Sequence, residues 1–436
     1  MNFIDFAIFS NLFFNGYVFF QQPFEFYITY LPIVLLLPVF FLKFKFPKEL
    51  LFFLLPLLVT GMLNVLLDNN TVWNFFKIFA NIAINVVFYR YVMEYYEYDV
   101  KRMIRMYMAG SFVVACIGVF QLICFWINFA AGYNWLIFLP LNKWGVSYGG
   151  LGIRINSTFS EPSNLGLSMS PAFFISIYTL LRQDEIFIKR FKAIVIVVVY
   201  ILSFSSLAYI GIGFTILFLM INFGLVRYIF IAVPLVIFLF SIAYNNVPEF
   251  KVRIDGVKAL FIDDILYANA PKRETKTQKL IRIKRILMQT HGSSFVLYNN
   301  AHIAYENFKR NPLFGSGLGS QELAFDLYNL NYIIGNLYKF NPADANSMFL
   351  RILSEVGLMG IIFIFIYIFK YYVSKNLAFE EDNEYWLISN ALLVLIMAQL
   401  IRQGNYTFGG FFMYGWMYYF NCLNYRAYLN STARFK

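Results

Sequence analysis

The stretch Arg154-Ile155-Asn156-Ser157-Thr158-Phe159-Ser160-Glu161-Pro162-Ser163-Asn164-Leu165-Gly166 sets an arginine, a glutamate and a row of hydroxyl and amide side chains between two long apolar runs. Pro162 suits the first position of a helix, where its missing N–H costs nothing. Ser160 or Glu161 then stands as the N-cap, accepting from free backbone donors. The helix expected over 165–181 is apolar enough to enter a bilayer. A polar knot therefore sits at the mouth of a membrane helix.

Composition sets the class. The 436 residues are 60% hydrophobic and 14% charged, against about a quarter charged in a soluble domain. The expectation is an all-α, polytopic membrane protein forming one membrane domain over 1–436, because backbone polar groups in lipid must be satisfied within each segment. The net charge of +11 does not by itself imply nucleic acid, and none is expected as a partner. Cys116, Cys124 and Cys422 lie in apolar segments and read as small buried residues, not as disulfide or metal ligands. The N-terminus lacks the basic region and cleavage site of a signal peptide, so the first apolar segment is expected to remain as an anchor.

Apolar segments fall at about 4–21, 26–42, 50–67, 72–92, 106–129, 164–181, 193–206, 208–223, 228–245, 348–369, 386–402 and 407–424, which predicts about twelve transmembrane helices. Alternating from a cytoplasmic N-terminus puts seventeen Lys and Arg in the inner connections and tail. Only Lys143 and Arg154 fall in the short outer loops. The positive-inside rule then makes both termini cytoplasmic. Two sizeable segments face outward: 130–163, which ends in the opening stretch, and the long loop 246–347 between helices nine and ten.

The long loop carries thirteen Lys and Arg, nine Asp and Glu, and both histidines, His291 and His302. Over 276–289, Leu280, Ile283 and Leu287 recur at helical spacing among Lys279, Arg282, Lys284 and Arg285, the pattern of a basic helix lying on a membrane surface. A second helix is expected over 301–310, stopped by Pro312. The glycine-rich turn Gly315-Ser316-Gly317-Leu318-Gly319 follows, where backbone could approach a ligand closely.

Two membrane helices, starting near Pro162 and Met348, turn their N-termini outward and present unpaired N–H groups. Arg154, Arg351 and Arg402 lie around them, and guanidinium matches phosphate geometry well. An arginine inside a span is costly and functional by default. Blander readings stand beside this. Arg351 and Glu355 are i, i+4 and could pair with each other. Arg402 and Lys77 could snorkel, His302 could be structural, and Glu161 could be only an N-cap. The chain contains no DxD, HExxH or cluster at metal-ligand spacing.

Three places resemble the Wzy-type O-antigen and capsule polymerases and their relative, the O-antigen ligase WaaL. Residues 154–163 are similar to an R-x-x-x-T-F-x-E-P-S run before a mid-chain membrane helix. Residues 308–319 look like a helix followed by NPLFGxGLG. Asn346-Ser347, separated by nine residues from Gly357-Leu358-Met359-Gly360, looks like the HN-x9-GxxG at the end of the family's large periplasmic loop. Asn346 stands where ligases carry a histidine; asparagine is no general base, which favours the polymerase over the ligase.

The resemblance implies a bacterial inner-membrane, metal-independent glycosyltransferase without cofactors. It would transfer a glycan from undecaprenyl pyrophosphate to the non-reducing end of a lipid-linked repeat unit. Glu161 is then the candidate base and Arg154 its catalytic partner, with Arg351 and Arg402 completing a pyrophosphate clamp. Arg310, Asn346, Ser347, Ser163, Asn164, Arg282, Arg285 and His302 become candidate substrate contacts. Partners would be membrane lipids, lipid-linked oligosaccharides, a chain-length regulator and a flippase. A ligase acting on lipid A core and a lipid-linked oligosaccharide transporter are the competing readings. The helix N-terminus and Arg154 are expected to lower the Glu161 pKa.

Overall fold

Apolar side chains on nearly every turn leave the backbone to satisfy its own hydrogen bonds, and most of the described chain does so as helices. The structure is a computed structural model. It describes residues 3–20, 26–134, 146–149, 152–228, 244–246, 248–261, 292–330, 341–375 and 383–433, with isolated positions between 230 and 284. Its one sheet, among these residues, is the short pair β1 (Val18–Phe20) and β2 (Phe26–Tyr27).

The first half runs through α1 (Phe3–Phe13), α2 (Tyr30–Lys43), α3 (Glu49–Leu66), α4 (Val72–Tyr95), α5 (Val100–Trp126) and the short α6 (Ala130–Tyr133). The bent pair α7 (Pro162–Ser168) and α8 (Ser170–Arg182) follows, then α9 (Arg190–Leu202) and α10 (Ser206–Asn222). Between residues 246 and 347 lie α11 (Pro248–Phe261), α12 (Gly292–Arg310) and α13 (Gln321–Tyr328). The chain closes with α14 (Met348–Glu355), α15 (Gly357–Lys370), α16 (Asn383–Arg402) and α17 (Phe411–Ala433).

Four helices, α3, α4, α5 and α16, are long and apolar enough to cross a membrane, and the bent α7–α8 pair makes a fifth candidate. Shorter apolar helices include α2, α10 and α15. The segments expected at 4–21 and 348–369 are not single helices. The first ends at Phe13, before Asn15-Gly16 and the sheet. The second breaks where Gly357 takes a left-handed φ of +70°. The segment at 228–245 lies largely outside the described residues. Helix α12 begins at Gly292, well before the expected 301, and stops ahead of Pro312 as its sequence indicates.

Helix α16 is the axis of the bundle. It packs against α8, α10, α14 and α17, and Trp386, Leu387, Ile388, Ala391, Leu392 and Val394 on it are fully buried. Helix α3 is the opposite case, with Phe52, Leu55, Val59 and Leu66 facing outward. The two faces need no difference in hydrophobicity, because lipid is as apolar as a protein core. Small side chains such as Ser389 and Ala391 let neighbours approach α16. Cys124 and Cys422 are buried free thiols as expected, whereas Cys116 sits on the exposed side of α5.

The helix expected over 165–181 bends by 58° at Met169. Pro171 is the local cause, since it has no N–H to give the Leu167 carbonyl. Ser170 Oγ donates to that carbonyl instead, at 2.8 Å. Tyr107 on α5 donates its hydroxyl to the Ser168 carbonyl at 2.6 Å, and accepts from the Ala172 N–H at 3.3 Å. Removing that hydroxyl with Tyr107→Phe is expected to lower unfolding stability in detergent by about 1–2 kcal/mol. Unchanged thermal melting would show that the bend stands without it.

Candidate functional site

The bends and breaks open a cleft of about 1700 Å³ whose walls come from α2, α4, the start of α7, residues 341–346 and residues 402–408. Seven of the residues singled out from sequence line it together: Arg154, Glu161, Ser163, Asn164, Asn346, Arg351 and Arg402. They come from three separate parts of the chain.

The polar knot divides into two kinds of residue. Asn156, Ser157, Thr158 and Ser160 are buried and face inward. Gln121 of α5 gives its amide N–H to Asn156 Oδ1 at 2.7 Å, and its Oε1 accepts from the Ser157 N–H at 2.9 Å. Ser157 Oγ donates to the Val114 carbonyl (2.6 Å), and Thr158 Oγ1 to that of Phe13 (2.7 Å). The Ser160 N–H donates to the Asn15 carbonyl at 3.2 Å. Gly16 has no Cβ because the Ser160 hydroxyl occupies that space. These four residues stitch the knot to α1 and α5. Arg154 and Glu161 are left facing the cleft.

Glu161 is the N-cap of α7, with extended backbone and no side-chain capping bond, so its carboxylate does not serve its own helix. Ser163 Oγ donates to Glu161 Oε1. Burial pushes the Glu161 pKa above the ordinary carboxylate range, and Asp344 adds to the rise. Ser163, Arg154 and Arg402 oppose it without cancelling it. The expected lowering is thus reversed, because loss of water outweighs the cations. Arg154 is anchored at its backbone by the Ser147 carbonyl (2.9 Å) and at Nε by the Ser203 carbonyl ending α9 (3.4 Å).

Arg351 and Glu355 do pair, at 3.1 Å, with relative exposures of 5% and 1%. Arg351 Nη1 also donates to the Gly404 carbonyl (3.0 Å), and its guanidinium lies 4.5 Å from the Tyr406 ring centre. Tyr406 donates its hydroxyl to Glu355 Oε2 at 2.9 Å. The bland i, i+4 reading therefore holds, and Arg351 borders the cleft with its charge already compensated.

The glycine-rich turn supports this pair. The Gly317 N–H donates to the Glu355 carbonyl (2.8 Å), that of Ser316 to Ser354 (3.1 Å), and that of Leu358 to the Pro312 carbonyl (2.9 Å). A Cβ on Gly315, at φ +62°, would lie 2.5 Å from Val356 N and 2.6 Å from the Glu355 carbonyl oxygen. The close approach is backbone to backbone, across the α14–α15 break.

Three other candidates stand apart from the cleft lining. Ser347 caps α14, accepting from the Leu350 N–H at 3.3 Å and donating to the Leu400 carbonyl at 2.8 Å. Arg310 is exposed and stacks over Tyr328 at 5.2 Å. His302 is partly buried on α12. Arg282 and Arg285 lie outside the described residues, as does most of the proposed surface helix.

Sequence reasoning missed Asp344, a cleft carboxylate whose Oδ1 accepts the Asn346 N–H at 2.9 Å across a left-handed turn at Asn346 (φ +53°). Its charge acts on Glu161, Arg351 and Arg402 together. Lys77 also lines the cleft, 3.8 Å from Glu322. The signal for this wall was legible: Asn74, Lys77, Asn81 and Asn85 recur at helical spacing on α4, too polar a stripe for a lipid-facing side. Four cations (Lys77, Arg154, Arg351, Arg402) and three carboxylates (Glu161, Glu322, Asp344) line the cleft, so it is mixed in charge. Among the described residues no three His, Cys, Asp or Glu side chains meet as metal ligands.

No family model matches this chain, and no curated protein matches it in sequence.

Removing Glu355 strands a buried arginine, so Glu355→Ala is expected to cost about 3–5 kcal/mol of stability. Replacing both partners, Arg351→Met with Glu355→Leu, is expected to recover most of it. Thermal unfolding of the three proteins checks this. A single variant as stable as wild type would contradict the pairing.

Proposed function

We propose that the chain is a bacterial inner-membrane, metal-independent glycosyltransferase, a repeat-unit polymerase with both termini cytoplasmic. It moves a glycan chain from undecaprenyl pyrophosphate to the non-reducing sugar of a lipid-linked repeat unit. The observation that carries this reading is the two-sided character of the cleft. One end gathers Arg154, Arg402, Glu161 and Asp344. The other is an apolar wall on α2 and α4, where Val34, Trp73, Phe76 and Ile84 are exposed at the outer surface of the bundle. That pairing suits a substrate with a charged head and a long isoprenoid tail.

In this reading the Glu161 carboxylate takes the proton of the acceptor hydroxyl. The freed oxygen attacks the anomeric carbon, and the bond from that carbon to the pyrophosphate oxygen breaks. The departing pyrophosphate, with its lipid, carries the negative charge to Arg154 and Arg402. Arg351 is already neutralised by Glu355 and shapes the wall. A base works best when its pKa approaches the working pH, so the burial that raises Glu161 favours this role. Asp344 sets a negative charge against Arg402 and holds the Asn346 turn. Asn346 lines the cleft where the ligases carry histidine, which supports the polymerase over the ligase.

Cells lacking the chain are expected to attach single repeats only, and an Arg154→Ala copy is expected to leave them so. A full-length glycan ladder from that variant would sink the clamp.

The pH dependence has a definite sign. Glu161 must be ionised, so the rate falls as pH drops through its raised pKa. The acid limb therefore lies above the ordinary carboxylate range. Ser163→Ala removes a bond that favours the carboxylate, and is expected to move the limb to higher pH. A limb that stays in place, measured as initial rate against pH, would exclude Glu161 as the titrating group.

A further inference from the structure

Beside the cleft, under the glycine turn, lies a recess of about 10 Å³, the room of one water or one hydroxyl. It is lined by Asn74, Lys77, Gln321, Glu322 and Arg351 and shares Lys77, Glu322 and Arg351 with the cleft. Gln321 opens α13 and is 1% exposed. Its backbone N–H reaches Glu355 Oε1 at 3.4 Å, but neither its amide nitrogen nor its amide oxygen has a hydrogen-bonding partner in the described protein. A buried primary amide without partners is costly, and native proteins keep few of them. Gly319 lets the turn close against α4 beside the recess, because a Cβ there would meet the backbone of Asn74.

We propose that this recess receives one hydroxyl-bearing substituent of the sugar held in the cleft, with Gln321 as the specificity-determining contact. The reasons are chemical. Gln321 offers one donor set and one acceptor, the complement of a hydroxyl. Lys77 and Glu322 cancel in charge at the rim, 3.8 Å apart, and Glu355 compensates Arg351. The recess is therefore neutral, unlike the end of the cleft that holds Arg154 and Arg402. Phosphate would find no net positive charge there, and a metal ion would find too few carboxylates. The assignment rests on the glycan-transfer reading of the cleft and adds to it a point at which one sugar is told from another.

The test is calorimetric titration of the full-length protein in lipid nanodiscs with the repeat oligosaccharide released from its lipid carrier. Gln321→Leu keeps the side-chain volume and removes both amide groups. It is expected to weaken binding about three- to tenfold, the worth of one neutral hydrogen bond, without lowering the thermal midpoint. Should Gln321→Leu fail to fold, Glu322→Gln at the half-exposed rim is expected to weaken binding about threefold. Wild-type binding that these folded variants leave unchanged overturns the recess alone, which then holds only a water. A wild-type protein that binds no oligosaccharide overturns the glycan reading, and the recess with it.

Discussion

A buried arginine and a buried glutamate one turn apart must neutralise each other, and the structure around the cleft is arranged to meet that requirement. Arg351 and Glu355 meet at 3.1 Å across the last turn of α14. Neither charge would be tolerated there alone. Gly404, Tyr406, Gln321 and the backbone of Gly317 each spend a hydrogen-bonding group on one of the two residues. The pair thereby ties the glycine turn, the α16–α17 connection and the start of α13 to one point. The cleft inherits one wall from that knot.

The other wall follows the same logic with neutral groups. At 154–166 the inward side chains satisfy carbonyls and N–H groups of α1 and α5, where no water could do so. The Met169 bend is held by Tyr107 and Ser170. What remains after these obligations are met is a small set of charged groups facing one cavity: Arg154, Glu161, Asp344 and Arg402. Removal from water, with a smaller push from Asp344 and against the pull of the two arginines, gives Glu161 its raised pKa.

The helical membrane class was legible because composition alone leaves no other way to satisfy the backbone. Arg154 and Glu161 were legible because a charged pair at an apolar boundary needs a reason, and Arg351–Glu355 because i, i+4 spacing brings the two together. Which hydroxyls of the knot are structural was not, since their partners, Phe13, Val114 and Gln121, lie far away in sequence. The break at Gly357 hid within an apolar run. Asp344 hid in a turn, where an aspartate usually needs no further explanation. The pKa of Glu161 was misjudged because nearby cations can be seen in a sequence and lost water cannot.

The central claim is that the charged end of the cleft forms a new glycosidic bond with Glu161 as base. The most direct measurement is chain extension by purified protein in nanodiscs, supplied only with lipid-linked repeat units and EDTA. A ladder of lipid-linked polymer from wild type, slowed about 10²- to 10⁴-fold in Glu161→Gln, is the expected result. Single repeats only from wild type, or a ladder from Glu161→Gln at the wild-type rate, would contradict it.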